Sequence, residues 1–167
     1  MKYIADSSLF IIGKRLEGSI VTVPSVVEEL KDENAITTME LMNTIIEPPL
    51  LAFKNEVRSK ARYTKDSEEL SGTDIDIIAK ALEYSRREDT ALVTDDFAIQ
   101  NTAIQLGIRV MPAGQRKIRD VLMWEKQCIG CKRRFPEGDE CPVCGSPLKK
   151  RRKVNKTIQF INTKKKY

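Results

Sequence analysis

Short apolar segments alternate with helical patterns through the first 111 residues, and this alternation limits the possible folds more than any other feature of the sequence. Segments rich in β-branched and apolar residues are predicted to be strands at residues 2–5, 19–23, 90–94 and 108–111. Amphipathic or charged stretches between them are predicted to be helices, including residues 35–46, 51–63, 70–83 and 98–106. Strands joined by helices form βαβ units, so we predict an α/β fold with a mostly parallel sheet covered on both faces.

The stretch from residue 70 to residue 83, LSGTDIDIIAKALE, contains the most regular helical pattern. Apolar residues recur at i, i+3, i+4 and i+7 from Ile75, which places them on one face of a helix. Asp74 and Asp76 fall in the first turn, where carboxylates interact favourably with unpaired backbone N–H groups. For either aspartate alone, this helix-stabilising role is the simpler explanation.

Charge is distributed unevenly along the chain. Residues 1–111 carry 13 Lys and Arg against 19 Asp and Glu, whereas residues 112–167 carry 16 against 5. An acidic body followed by a basic end indicates metal binding or catalysis in the first part and polyanion binding in the second. The sequence contains no His, which excludes Ser-His-Asp and Cys-His catalysis.

The hydropathy pattern contains no segment suited to a membrane. No apolar run approaches the roughly 18 residues that cross a bilayer. Acidic Asp6 follows the opening residues directly, which argues against a secretory leader. We therefore expect a soluble protein of the cytoplasm, without a membrane partner and without a nucleotide cofactor.

Carboxylates recur where predicted strands end and where predicted helices begin. They are Asp6, Glu28, Asp74 and the pair Asp95 and Asp96. Because ligands of such sheets bind beyond the carboxyl ends of the strands, we expect these side chains to converge at one edge. Like charges raise each other's pKa unless a cation lies among them, and oxygen ligands favour Mg²⁺ or Mn²⁺. Ordinary explanations also exist, with Asp6 and Asp95 as helix caps and Glu28 and Glu29 as solvated surface charge.

Four segments that contain these acids, YIADSSLFI, PSVVEEL, LSGTDIDIIAKALE and VTDDFAIQ, resemble the four acidic motifs of the PIN-domain nucleases over roughly residues 1–111. The resemblance implies a PIN-like α/β/α fold. It also implies metal-dependent hydrolysis of single-stranded RNA that leaves 5′-phosphate and 3′-hydroxyl ends. Asp6, Asp74 and Asp96 would hold Mg²⁺ or Mn²⁺, and Glu28 would help to position the attacking water.

The fourth acid of this pattern is ambiguous between two neighbours. The family pattern of strand, Thr, any residue and Asp places it at Asp96, with Thr94 as the accompanying hydroxyl. Asp95 would then be accessory. Glu29 and Asp76 are likewise neighbours of the matched acids and are not matches themselves.

The cysteines of the chain all fall in one short segment. They form two CxxC knuckles, Cys128 with Cys131 and Cys141 with Cys144. Paired knuckles bring four thiolates to tetrahedral reach and predict a structural Zn²⁺ site with no open position. The alternatives are two disulfides or free thiols, and an intracellular location disfavours disulfides.

Basic residues surround and follow the cysteine knuckles. The predicted RNA-binding residues are Lys132, Arg133, Arg134, Lys149, Lys150, Arg151, Arg152 and Lys153. A solvated charged tail is the alternative explanation for this run. Aromatic residues available for stacking on unpaired bases are Trp124, Phe135, Phe160 and Tyr167, of which the first two are expected to pack within the zinc ribbon or at its junction.

The combination of a PIN-like domain, a four-cysteine ribbon and a basic tail is more specific than either part. It resembles the Nin-one-binding family of small ribosomal subunit assembly endonucleases, in its short archaeal-type form. This resemblance implies cleavage at the 3′ end of the small-subunit ribosomal RNA precursor, with that precursor and the small-subunit particle as partners. The expected domains are a nuclease domain (1–112), a linker (113–127), a zinc ribbon with a basic extension (128–160) and a basic tail (161–167).

Three other functions are compatible with the sequence. The chain would be a ribosome-assembly factor that binds RNA with a catalytically idle acidic pocket, or a toxin-type PIN nuclease acting on messenger or transfer RNA. The ribbon argues against the toxin, which usually consists of the nuclease domain alone. A receiver-like phosphoacceptor is the weakest alternative, because its acidic pair would follow an early strand and not stand at residues 95–96.

Overall fold

Five short parallel strands form the centre of the first structural unit, Met1–Ile118. In chain order they are β1 Lys2–Ala5, β2 Ser19–Thr22, β3 Ile45–Ile46, β4 Thr90–Val93 and β5 Arg109–Met111. They lie side by side in the order β3-β2-β1-β4-β5, and every neighbouring pair is parallel. The structure is a computed structural model and describes residues 1–64, 70–114 and 121–155.

Six helices connect and cover these strands in the described part of the first unit. They are α1 Ser7–Ile12, α2 Pro24–Glu29, α3 Glu33–Leu41, α4 Leu51–Thr64, α5 Gly72–Ser85 and α6 Phe97–Gln105. Consecutive strand residues such as Ile4 and Ala5 are both fully buried. Because successive strand side chains point to opposite faces, this burial means that both faces of the sheet are covered. The predicted α/β fold is therefore confirmed.

The predicted helix over residues 35–46 is wrong at its C-terminal end. Helix α3 ends at Leu41, and Ile45 and Ile46 form the edge strand β3. Asn43 has a φ of 49°, in the left-handed region that Asn tolerates and that ends a helix. The Thr44 hydroxyl then donates to the Met39 carbonyl at 2.9 Å, where a helical N–H would otherwise bind. The helical spacing of apolar residues therefore extends beyond the residue at which the backbone geometry ends the helix.

Helix α5 confirms the regular pattern of residues 70–83, with one difference at its start. The pattern predicts a helix from residue 70, but Gly72 is the first helical residue and Ser71 is the N-cap. The Ser71 hydroxyl accepts from the Asp74 N–H at 3.1 Å, and the Asp74 carboxylate accepts from the Ser71 N–H at 2.7 Å. This reciprocal capping box fixes the first turn. Within the described ranges, no helix combines the length and the apolarity that crossing a bilayer requires.

A small antiparallel sheet forms the second structural unit, Arg119–Tyr167. Its strands are β6 Val121–Cys128, β7 Arg134–Phe135 and β8 Leu148–Asn155, in the order β7-β6-β8. Residues 121–127, assigned to a linker from the sequence, thus belong to strand β6 and pair with β8. Residues 115–120 of that predicted linker and the predicted tail from residue 156 onward lie outside the described residues.

A buried ion pair fastens helix α5 to the chain that precedes α4. Lys80 is 3% exposed and Glu83 6% exposed, and the Lys80 Nζ lies 3.3 Å from Glu83 Oε2 and 3.4 Å from Glu47 Oε2. Glu83 also accepts from the Leu50 N–H at 3.3 Å, and the Tyr84 hydroxyl donates to Glu47 at 2.7 Å. These contacts hold residues 47–50 against the C-terminal half of α5.

Replacing Lys80 by Met is expected to lower the free energy of unfolding by about 3 kcal/mol, because Glu83 would stay buried without its nearest cation. The double variant K80M/E83L should recover most of this loss, since removing both charges of a buried pair is often neutral. Urea unfolding followed by circular dichroism measures both effects. Lys31→Met, at an exposed position, is the control and should change stability by less than about 0.5 kcal/mol. A K80M protein as stable as wild type would contradict this account.

Candidate active site and cysteine centre

Asp6 stands at the carboxyl end of the central strand β1. Its N–H donates to the Val93 carbonyl at 3.0 Å, which holds it beside the end of β4. One carboxylate oxygen accepts from the Ser7 N–H at 2.7 Å and caps α1, as the ordinary explanation of this residue predicted. The other oxygen accepts from the Thr94 hydroxyl at 2.9 Å. The carboxylate is therefore held from two sides.

Thr94 connects Asp6 with Asp96. Its fully buried hydroxyl donates to Asp6 and accepts from the Asp96 N–H at 3.1 Å. Asp96 Oδ1 in turn accepts from the N–H groups of Ala98 and Ile99, at 2.7 and 3.0 Å, and caps α6. The residue predicted as an accompanying hydroxyl thus brings two of the candidate acids to the same edge of the sheet.

Asp74 contributes to the same electrostatic environment. Burial raises the pKa of the Asp6 carboxyl above its ordinary value of 3.8, hydrogen bonds from Thr94 and Ser7 oppose this shift, and the nearby negative charge of Asp74 adds to it. A carboxylate that is disfavoured by burial and by a second carboxylate gains the most from a cation. This pKa shift is consistent with the predicted metal site.

Asp95 has a different role from its neighbour Asp96. Its carboxylate accepts from the backbone N–H groups of Ala113 and Gly114, at 2.9 and 3.1 Å, and its own N–H donates to the Ser8 hydroxyl at 3.3 Å. The expectation that Asp95 caps a helix is therefore wrong, because Asp96 is the cap of α6. Asp95 fixes the segment that follows β5, and this leaves Asp96 as the better candidate for the fourth acid.

Glu29, and not Glu28, contacts the segment that carries Asp74. The Thr73 hydroxyl donates to Glu29 Oε1 at 2.5 Å, whereas the side chain of Glu28 makes no hydrogen bond to another described residue, and both glutamates are exposed. Ser25 lies four residues before Glu29 on the same face of α2 and contacts Asp76 of α5 at 3.4 Å, so this face of α2 is turned toward α5. Glu29 is therefore a further candidate beside Glu28, which was matched from the motif.

Asp76 is engaged in an ion pair. Its Oδ1 lies 2.6 Å from the Nζ of Lys54, on helix α4. With the contact from Ser25, this pair joins α2, α4 and α5 close to the first turn of α5. Asp76 therefore holds helices together, and the sequence analysis likewise did not match it to a metal-binding acid.

The candidate acids fit a hydrated hard cation. Within the described residues, only the four cysteines bring three or more ligand atoms within 4.8 Å of one another, so the carboxylates of Asp6, Asp74 and Asp96 are more widely spaced than that. Mg²⁺ commonly binds through one or two carboxylates, keeps several waters and takes further ligands from a substrate phosphate. The three aspartates supply oxygen donors, which suit such a cation, and in the described structure they do not form a closed protein cage.

The predicted knuckle cysteines meet at one point of the second unit. The Sγ atoms of Cys128 and Cys144 are 3.4 Å apart, and those of Cys131 and Cys141 are 3.6 Å apart. A disulfide requires about 2.05 Å, so these distances do not support the disulfide alternative. Ligands of a tetrahedral Zn²⁺ with bonds of about 2.3 Å lie about 3.8 Å apart, close to the observed spacing.

The thiol pKa values also favour a cation at this centre. Hydrogen bonds from the Ser146 side chain and backbone lower the pKa of Cys144 to about 5. The Arg133 backbone N–H lowers the pKa of Cys131, but desolvation and the three neighbouring cysteines outweigh it and raise that pKa to about 11. Four thiolates this close repel one another, so they ionise together only around a cation.

The predicted RNA-binding residues lie on the antiparallel sheet and its first knuckle. Lys132, Arg133, Arg134, Lys149, Lys150 and Arg151 are exposed, whereas the side chains of Arg152 and Lys153 lie outside the described part of the structure. The register of β6 and β8 pairs Glu125 with Arg151 and Gln127 with Lys149. Because alternate residues share a face, these four residues lie on one side of the sheet.

The aromatic residues of the ribbon have packing roles. Phe135 packs against Cys128, Cys141 and Leu148. Trp124 is half-buried, and the Lys150 Nζ lies over its ring, 4.7 Å from the centroid. Both residues therefore pack within the ribbon, as expected, while Phe160 and Tyr167 fall outside the described ranges.

Comparisons with known proteins agree with this geometry. The family described as the PIN domain of ribonuclease matches residues 3–84. An Endoribonuclease Nob1 of Archaeoglobus fulgidus is 42% identical over 154 residues, which cover 92% of each chain. An Endoribonuclease Nob1 of Pyrococcus abyssi is 38% identical over 157 residues, 89% of this chain and 92% of the relative. A Ribonuclease VapC1 of Thermoplasma acidophilum is 32% identical over 155 residues, 90% of this chain and 78% of the relative.

The two Nob1 similarities extend over about nine-tenths of this chain. They therefore reach beyond the first structural unit, which ends at Ile118, and into the unit that carries the cysteine centre. The family resemblance predicted from the four acidic motifs and the knuckles is confirmed. The chain belongs to the PIN-domain ribonucleases, within the Endoribonuclease Nob1 family.

Proposed function

We propose that this protein is a cytoplasmic, metal-dependent endoribonuclease that matures the 3′ end of the small-subunit ribosomal RNA precursor during ribosome assembly. The family assignment supports the nuclease activity. The observation that carries the proposed site is the Thr94 hydroxyl, which joins Asp6 to Asp96 at the carboxyl edge of the parallel sheet. This is the edge at which α/β sheets bind their ligands.

In this proposal Asp6, Asp74 and Asp96 hold Mg²⁺ or Mn²⁺. Such a cation, when bound, supplies Lewis acidity and lowers the pKa of water in the site. Thr94 and the Ser7 N–H fix the Asp6 carboxylate, so that its orientation needs no rearrangement when substrate arrives. Glu29, held beside Asp74 by Thr73, is placed to orient the attacking water and accept its proton.

The second unit would hold the RNA and not cut it. Its cysteine centre would bind structural Zn²⁺, because four thiolates leave no open coordination position. The exposed cations Arg134, Lys149 and Arg151 would contact phosphate oxygens of ribosomal RNA. Phosphate contacts position the protein on the RNA but do not distinguish one base sequence from another, which suits the binding of one large RNA.

A second candidate function is a PIN ribonuclease that acts on a different RNA. The similarity to Ribonuclease VapC1 supports it, because that relative also aligns with 90% of this chain. A chain with a ribbon is therefore compatible with this class, although the ribbon argued against it in the sequence analysis. The higher identity to the Nob1 proteins favours the ribosomal substrate. Cleavage tests on both kinds of RNA distinguish the two, and a protein that cuts neither would be the idle assembly factor.

Asp6→Asn is expected to reduce cleavage of a short single-stranded RNA spanning the precursor junction by at least about 100-fold in Mn²⁺, because it removes a charged metal ligand. Binding of the same RNA should be retained, since the ribbon is untouched. Asp32→Asn is the matched control: Asp32 caps α3 through its side chain, and Asn caps equally well. Gel analysis of the ends formed measures cleavage by both variants. An unchanged rate in D6N would remove Asp6 from the mechanism.

Glu29→Gln should lower the cleavage rate by about 10- to 100-fold, because the carboxylate beside Asp74 loses its charge. Glu28→Gln, one residue away and exposed, should cleave at nearly the wild-type rate. Single-turnover kinetics with both variants gives the comparison. A larger loss in E28Q than in E29Q would restore the assignment made from the motif.

Removing Zn²⁺ with a chelator is expected to unfold residues 128–148 and leave the first unit folded, because the core of the small sheet consists largely of the cysteines themselves. Amide hydrogen exchange resolves the two units, and atomic absorption should give one Zn²⁺ per chain before treatment. Exchange that rises equally in α5 would show that the metal stabilises the nuclease domain as well. Absence of zinc in protein purified without chelator would contradict the assignment.

A further inference from the structure

Phe97 is unusually exposed for an aromatic residue of this chain. It is 51% exposed, and it is the one aromatic side chain among those described whose exposure is that of a surface residue. The others are buried or half-buried: Tyr3, Phe10, Phe53, Tyr84, Trp124 and Phe135. A single exposed hydrophobic residue is normal on a protein surface, so the significance of Phe97 depends on where it lies.

Phe97 lies directly beside the candidate active site. It is the first residue of α6 and follows Asp96, whose N–H binds Thr94 and through it Asp6. Adjacent Cα atoms are about 3.8 Å apart, so the backbone of Phe97 would lie next to a nucleotide whose phosphate is bound at Asp96. Asp96 Oδ1 also accepts from the two N–H groups that follow Phe97, at 2.7 and 3.0 Å. The backbone that carries the ring is therefore fixed.

The charged groups of the site cannot distinguish single-stranded from paired RNA. Carboxylates with a cation contact the phosphodiester, which is present in both forms. An exposed aromatic ring can stack only on a base whose face is free, and unpaired bases of single-stranded RNA offer such a face. We propose that Phe97 is a stacking platform for an unpaired nucleobase next to the scissile phosphate, and that it makes cleavage depend on an unpaired nucleotide there. This inference rests on the proposed nuclease function.

The aliphatic surface residues of the first unit do not share this position. The exposed Ile11 and Ile12 lie in α1, Leu41 ends α3, and Ile45 and Ile46 form the edge strand β3. None of them adjoins a candidate acid in the sequence, whereas Phe97 does. A protein partner that covers Phe97 is the competing explanation, and it predicts no dependence on the base.

The test compares Phe97→Ala, Phe97→Leu and Phe97→Tyr with wild type on a short single-stranded RNA spanning the precursor junction, in Mn²⁺. F97A should raise KM on the order of 10-fold or more with a smaller change in kcat, since stacking contributes mainly to binding. F97L, which keeps apolar bulk without a π-face, should lose nearly as much, and F97Y should resemble wild type. An unchanged Mn²⁺ dependence in F97A would show that Asp96 is undisturbed.

An abasic nucleotide, moved one position at a time past the cut, identifies the stacked base. For wild type, an abasic nucleotide at one position beside the cut should reduce cleavage about as much as the F97A substitution reduces cleavage of intact RNA. For F97A, the same abasic nucleotide should cause no further reduction. Equal KM values for F97A and wild type, or equal losses at every abasic position, would overturn the proposal while the activity of wild type and the inactivity of D6N still supported the nuclease function.

The same question can be asked without cleavage. In an Asp6→Asn background, F97A should weaken binding of the intact single strand and leave binding of the RNA that is abasic at the stacked position unchanged, as measured by fluorescence anisotropy. If wild type cut no RNA but this difference persisted, the nuclease function would fail and the stacking site would stand. Equal weakening of both RNAs by F97A would contradict stacking.

Discussion

The Thr94 hydroxyl is the contact on which the geometry of the acidic site depends. It is fully buried between the ends of two neighbouring parallel strands, and it uses its donor on Asp6 and its acceptor on the Asp96 N–H. The register of the sheet brings Asp6 and Thr94 together, because β1 and β4 pair directly from Lys2 opposite Thr90 to Ala5 opposite Val93. The residues that follow each strand are therefore neighbours, and one hydroxyl can bind both the Asp6 carboxylate and the backbone N–H of Asp96.

The structural and chemical explanations of these carboxylates are compatible. Asp6 and Asp96 are the N-caps of α1 and α6, and Asp74 lies in the first turn of α5. Each carboxylate accepts a hydrogen bond from the backbone at the start of its helix. Asp96 accepts the capping hydrogen bonds of α6 at Oδ1, and Asp74 takes part in the capping box of α5. A cap fixes the direction of a carboxylate, and the positive end of the helix favours its charged form. The same contacts that start α1, α5 and α6 thus orient the three acids that we propose as ligands of the cation.

Sequence patterns predicted the features that depend on local periodicity and fixed spacing. The parallel α/β sheet, helix α5 and the meeting of the four cysteines all follow from such patterns. Contacts between distant residues were not predictable, such as the N–H groups of Ala113 and Gly114 that bind Asp95. The choice between Glu28 and Glu29 required the phase of a six-residue helix, too short for a periodic pattern. The early end of α3 required the backbone angle of Asn43, which composition does not encode.

Burial of the Asp6 carboxylate would couple the binding of the proposed cation to the stability of the fold. The folded chain holds the proton of Asp6 more tightly than the unfolded chain, whose carboxyl has its ordinary pKa of 3.8. The folded state therefore binds more protons than the unfolded state as pH rises above that value, and its stability falls through this interval as Asp6 ionises. A cation bound by the ionised acid offsets that loss, because it is attracted by the same charge that burial and Asp74 oppose. Binding of the proposed cation, release of the Asp6 proton and stability of the sheet edge would thus be coupled through one carboxylate. The Thr94 hydrogen bond favours the charged form of that carboxylate and shifts the balance toward the ionised state.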